Sequence, residues 1–174
     1  ERGFIAWKGN KMTTSNQIGL TLYGVAGVPA TNNKAGFEAL SFVQLGGVQM
    51  LPSFGVTHSN IDVSDLGTGF TEGVKGPGTG NDSTFTYHGI PTAAGIATAI
   101  AAANAQAGLY SLKIVRGSGT DSGNGPAPVA GDVVQYAQGY LHTYVLNPKD
   151  DTSFEGGTIS FKQNAVTVDD VEPS

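Results

Sequence analysis

Along most of the chain the apolar positions recur with a period of two, and only one segment has a helical character. Residues 83–88 alternate cleanly, with Phe85 and Tyr87 on one face and Thr84 and Thr86 on the other. Residues 109–116 place Tyr110, Leu112 and Ile114 opposite Ser111 and Lys113. Residues 132–146 form the longest β pattern, read as one face carrying Val134, Tyr136, Tyr140 and Tyr144. Residues 158–163 alternate Ile159 and Phe161 with Thr158, Ser160 and Lys162, and 165–171 read as a final strand or an extended tail. Nearer the start, Leu40, Phe42, Leu45, Val48, Met50 and Pro52 predict two strands around Gly46 and Gly47, or one long bent strand. Residues 56–63 alternate more weakly.

The helix is predicted over 93–107. Pro91 and Thr92 supply a stop and an N-cap, and Gly108 stands at the C-terminal position. The segment is almost all alanine, has no charged residue, and spaces Ile96 and Ile100 to share a face. A helix without a charged face expects cover on more than one side. One side packs on its own sheet, and the other is small enough to admit a neighbouring subunit. A single helix among many strands predicts a mainly β chain, an antiparallel sandwich or barrel.

Three stretches lack a period. The first 38 residues read as an extended N-terminal arm with a short strand at Leu20, Leu22 and Val25 inside it, either loose or ordered on a partner. Residues 67–80 read as a glycine-dense loop holding Phe70, Val74 and Lys75, and 117–131 as a loop with glycines at 117, 119, 123, 125 and 131. The predicted organisation is an arm over 1–38, a β domain over 39–168 and an acidic tail over 169–174.

At 174 residues the chain has the size of one domain, and a domain of that length buries roughly 70% of its unfolded surface. The absence of cysteine excludes a disulfide scaffold, a thiol nucleophile and cysteine-based zinc sites. No apolar run reaches the roughly 20 residues that span a bilayer, so no membrane anchor is expected, and no signal-peptide pattern opens the chain. The net charge of −5 is carried by residues 150–174, with six acids against Lys162, while 1–149 sum to zero. A body this neutral argues against tight electrostatic binding of nucleic acid. The acids at 150–155 and 169–172 read as solvating an exposed tail.

Chemical motifs are weak. His58, His88 and His142 have no ligand-spaced partners, and no local signature supports a nucleophile. Gly67, Gly69 and Gly73 do not join a strand to a helix as a dinucleotide loop does. Asp62 and Asp65 fit a turn better than a catalytic pair, and the sequon at Asn81 reads as coincidence. Neither catalysis nor a cofactor is expected.

The order of elements resembles a known family. A polar arm precedes strands ending in Val63-Ser64-Asp65-Leu66, followed by Glu72-Gly73-Val74-Lys75-Gly76, a strand, a helix, the Leu112-Lys113-Ile114-Val115 strand, a long strand and a closing Ile159-Ser160-Phe161-Lys162. This looks like the major tail tube protein of long non-contractile-tailed bacteriophages, which resembles the tubes of contractile tails and of type VI secretion. The resemblance implies hexameric rings stacked into a hollow virion tail, assembled in the bacterial host cytoplasm, with strands of each subunit joining a ring-wide inner β-barrel. It implies as partners other copies of the chain, tape-measure, tail-tip and tail-terminator proteins, and double-stranded DNA in transit. On that reading Phe4 and Trp7 of the arm, and Phe70, Val74 and Lys75, are inter-subunit contacts; Ile96 and Ile100 are the helix contact; Gln44, Gln49, Gln138 and His142 are lumen candidates, and the acids at 150–155 and 169–172 either line the lumen too or solvate an exposed tail. The alternative is a monomeric β-sandwich that binds carbohydrate or serves adhesion through the tyrosines of 132–146.

Overall fold

The computed structural model describes residues 18–64, 67, 69–121 and 123–173. The strands are β1 (Leu20–Ala26), β2 (Val43–Gln44), β3 (Val48–Met50), β4 (Val56–Ser64), β5 (Thr71–Gly80), β6 (Asp82–His88), β7 (Leu109–Arg116), β8 (Val133–Leu146), β9 (Gly156–Gln163) and β10 (Val168–Val171). Two helices, α1 (Lys34–Glu38) and α2 (Ala94–Asn104), complete the elements. The fold is mainly antiparallel β, as the period-two pattern predicts.

Seven strands pair in the order β2-β1-β7-β8-β9-β6-β3, with β10 added to β8, while β4 and β5 form a separate hairpin. Laid flat, the six gaps of that path would put β2 and β3 about 29 Å apart. Only Leu45, Gly46 and Gly47 join these strands, a link that spans at most about 15 Å. The sheet is therefore rolled, and the chain from β2 to β3 draws its two ends together.

The larger core lies on the α2 side of the sheet. Phe85, Tyr87, Leu112, Leu141, Ile159 and Phe161 cluster there with Leu22, Leu45 and the helix residues Ile96 and Ala99. Ile96 and Ile100 thus share the face that the sequence assigns, and both pack on the chain's own sheet. The helix is shorter at both ends than predicted, and Ala93 rather than Thr92 is its N-cap, with no side-chain capping bond. Gly108, four residues beyond α2, instead takes a left-handed φ of +57° at the turn into β7, where a Cβ would strike the Leu141 carbonyl.

Both this core and a smaller one on the opposite face correct the predicted arm and tail. Strand β1 pairs with β7 along its whole length, and Leu22 is buried, so residues 20–26 belong inside the body. The strand is hard to read because Gly24 interrupts it; the Tyr110 ring and Leu45 lie where its Cβ would be. The short α1 is capped by Asn33, whose side chain accepts from the Gly36 N–H, and its Phe37 stacks on Tyr136 at 4.9 Å between ring centroids. The acidic segment is likewise built in. Strand β10 pairs with β8, Asp170 accepts from Lys34 at 2.9 Å, and Glu172 accepts from Lys113 at 2.7 Å.

Lys113 shows why that last contact matters. Its residue is 8% exposed, and its ammonium stands 5.6–5.9 Å from the ring centroids of Tyr23, Phe42 and Tyr136. The rings attract the cation through their faces, and Glu172 neutralises it. Burial, then the charges of Glu172, Glu38 and Asp170, push the Tyr136 phenol up to about 12.

The predicted tyrosine face of β8 is split. His142 is an extra residue between Leu141 and Thr143 in the ladder to β9. That bulge flips the alternation. Tyr136 packs in the smaller core, whereas Tyr144 packs against the larger one and meets the Tyr87 hydroxyl at 3.1 Å. The three tyrosines therefore do not form one exposed stacking platform.

Candidate assembly interface

Most of the predicted 67–80 loop is a strand: Thr71–Gly80 is β5, paired with β4 from Val56↔Gly80 to Ser64↔Thr71. Four glycines and Pro77 give this segment little intrinsic β preference. Its partner supplies the reason for them. Asn60 lies over Gly73, Ser59 over Gly76, and His58 with Val56 over Gly78, each occupying the space of a missing side chain. The register shifts between His58 and Asn60, so Gly76 and Pro77 oppose Ser59 alone, a bulge where proline is tolerated.

The hairpin is two-faced and nearly all exposed. Ile61 stands opposite Val74 and Val63 opposite Glu72, so these four share one face. Asn60, Asp62 and Lys75 share the other, where the Asn60 amide donates to Asp62. Val74 and Lys75, predicted as joint contacts, thus point to opposite sides. Ile61, Val63 and Val74 are each about half exposed, and Phe70, just before β5, is 76% exposed. An isolated two-stranded hairpin is at best marginally stable in water, so an uncovered apolar face of this kind asks for a partner.

Its base is anchored by a residue that the sequence reading passed over. Gln163 is 2% exposed. Its Oε1 accepts from the Gly55 N–H at 2.9 Å, and its Nε2 donates to the Ala165 carbonyl and to Thr167 Oγ1. Its backbone N–H donates to the Asn81 carbonyl. The Asn81 side chain donates to the Ser53 carbonyl and hydroxyl, so the sequon asparagine is a structural clip. Through its side chain and its backbone, one buried residue thereby ties together both ends of the hairpin, β9 and the link to β10. A polar residue closing an alternating strand was the only sequence signal.

Of the lumen candidates, Gln44 donates to the Asn124 carbonyl from β2, and Gln49 is exposed on β3, across the short link that draws the two ends of the strand path together. Gln138 donates to Asn32 from β8. His142, the bulged residue, is 3.1 Å from Asp82 and 2.9 Å from the Thr143 hydroxyl. Phe4 and Trp7 lie outside the described residues, as does Asp65.

The described residues of 117–131 form a hydrogen-bonded loop. Asp132 accepts from the Ser118 and Val129 N–H groups, and Asp121 accepts from those of Gly123 and Gly125. The Ser118 side chain, then the Val129 and Ser118 N–H groups, hold the Asp132 carboxyl below its ordinary value. Among the described residues no group of three His, Asp or Glu is placed to hold a metal, and no helix is long and apolar enough to cross a membrane.

Two of the solved structures that share this architecture are tube proteins. One is the cap that terminates the tube of the anti-feeding prophage: TM-score 0.57 and 14% identity, over 97% of this chain and 100% of that one. The other is the SPP1 tail tube: TM-score 0.54 and 15% identity, over 89% of this chain and 78% of that one. The fold is similar to that of tail-tube proteins. No protein-family model and no curated protein matches the sequence. The tail-tube-like fold thus rests on shape, and the β4–β5 hairpin is part of a chain that the cap matches almost end to end.

Proposed function

We propose that the chain is a structural, non-catalytic subunit of a phage-type tail tube, polymerising as stacked hexameric rings around a channel through which DNA passes. The observation that carries this reading is the amphipathic hairpin: an apolar face of Ile61, Val63 and Val74 left uncovered beside a body that buries a core of its own. The tail-tube-like fold supplies the setting. The small outer face of α2, the residues 1–17 with Phe4 and Trp7, and the hairpin tip at Phe70 are its contacts between subunits and rings. Gln44, Gln49, Gln138 and His142 are uncharged or weakly basic candidates for a lumen in which DNA slides, since fixed cations would hold phosphates. Tape-measure, tail-tip and terminator proteins are its partners in the virion tail, with assembly in the host cytoplasm.

A second reading is favoured by the end-to-end match to a tube cap: a ring that closes a tube rather than extends it. Negative-stain electron microscopy across a concentration series separates the two. A repeating subunit gives hollow tubes, a cap gives rings that do not stack, and monomers at every concentration contradict both.

A further inference from the structure

The hairpin's apolar face has a matching surface elsewhere on the same chain. A cleft of about 470 Å³ opens where the α2 face of β1, β7 and β8 runs out beneath the 51–54 link. Leu20, Leu51, Phe54, Ile114 and Val133 give it an apolar wall, with Arg116 as its cation. The hairpin face is the complement: Ile61, Val63 and Val74 with Glu72 as its anion. We propose that the hairpin of one copy seats this face in the cleft of the next copy, with Glu72 against Arg116. The assignment rests on the tube reading and names the receiving surface within it.

The occupant is a second copy because no residue of β4 or β5 lines the cleft of its own chain, although the hairpin is fixed beside it. Ser53, which lines the cleft, is bonded to Asn81 at the hairpin base, and Gln163 fixes that base from the other side. At about 3.3 Å per residue, Ile61 and Val63 stand roughly 17–23 Å out from Val56 along an intact ladder. Arg116 already makes an intrachain interaction. A guanidinium carries five N–H donors, so a further carboxylate is accommodated. Hairpin and cleft are different patches, so the contact is heterologous. Each copy offers one of each, and the contact propagates in one direction.

The chain has no cysteine, which makes cross-linking clean. Val63→Cys and Val133→Cys alter positions 51% and 59% exposed, so the fold tolerates both. The two single variants are mixed under assembly conditions and oxidised. The mixed disulfide is expected to form at least about tenfold faster than the pair Val63→Cys with Val145→Cys, a control at the opposite end of β8. Adding Glu72→Arg to the first variant slows it about tenfold, and Arg116→Glu on the second restores it. Tubes without selective cross-linking overturn the cleft assignment and leave the tube reading standing. Monomers without cross-links contradict both. Faster coupling of Val133→Cys to Trp7→Cys would place residues 1–17 in the cleft instead and also overturn the proposal.

Discussion

The rolled body and the β4–β5 hairpin are built on opposite principles. In the body, alternating side chains from β1, β6, β7, β8 and β9 meet each other and α2, and large rings such as Phe85, Tyr110 and Phe161 are fully buried. In the hairpin the ladder is as regular apart from one bulge, yet every residue of β4 after Val56 is exposed. The body holds itself together by burial. The hairpin has backbone hydrogen bonds, a buried amide at its base and no core of its own. The difference teaches where intrinsic stability ends and assembly begins.

Core truncation should produce the largest effect on the body. Phe161→Ala removes a fully buried ring and is expected to cost about 3–5 kcal/mol in urea unfolding. Val74→Ala on the hairpin should change monomer stability by less than about 0.5 kcal/mol while raising the concentration needed for assembly. A comparable loss of monomer stability for both would erase the distinction.

Next comes the latch between β10 and the body. Glu172→Ala leaves the Lys113 ammonium among three rings without its carboxylate, at an expected cost of about 3 kcal/mol. Lys113→Met together with Glu172→Ala should recover most of it, because the rings then enclose an apolar chain. Thermal unfolding of the single and double variants checks this.

Gln163→Leu acts at the junction of the two regions. It leaves the Gly55 N–H and the Thr167 hydroxyl without their partner, for an expected loss of about 2 kcal/mol. Amide exchange should quicken in 56–80 and hardly change in β7.

Acid should have the smallest effect, and a local one. The Asp132 carboxyl is held below its ordinary 3.8 by the bonds from Ser118 and Val129, and Asp170 is held below it chiefly by Lys34. A depressed carboxylate stabilises the fold above the unfolded value and loses that contribution as pH falls through the folded one. Protease sensitivity of 117–131 should therefore rise only below about pH 4. Asp132→Asn should show the same sensitivity already at neutral pH.

These two regions also differ in how far the sequence discloses them. The body strands β6, β7 and β9 and the helix α2 are legible because each buries one face, and burial writes period two or a helical stripe into the residues. Strand β1 is less so, since Gly24 stands where the Tyr110 ring needs room. The split of β8 is invisible because the bulge at His142 leaves no mark on composition. Strand β5 is the instructive failure. Its glycines fit the side chains of β4, so the signal lies in the pairing and not in the segment. Gln163 acquires its role only when three distant segments meet.

The central claim is that 56–80 completes itself on another copy. Hydrogen exchange of the full chain, measured dilute and then concentrated into the assembled state, tests it most directly. Protection in 56–80 is predicted to rise at least about a hundredfold on assembly, while β7 and the paired part of β8 stay as they were. Equal protection of 56–80 in both states, with assembly verified in the same samples, would contradict the account.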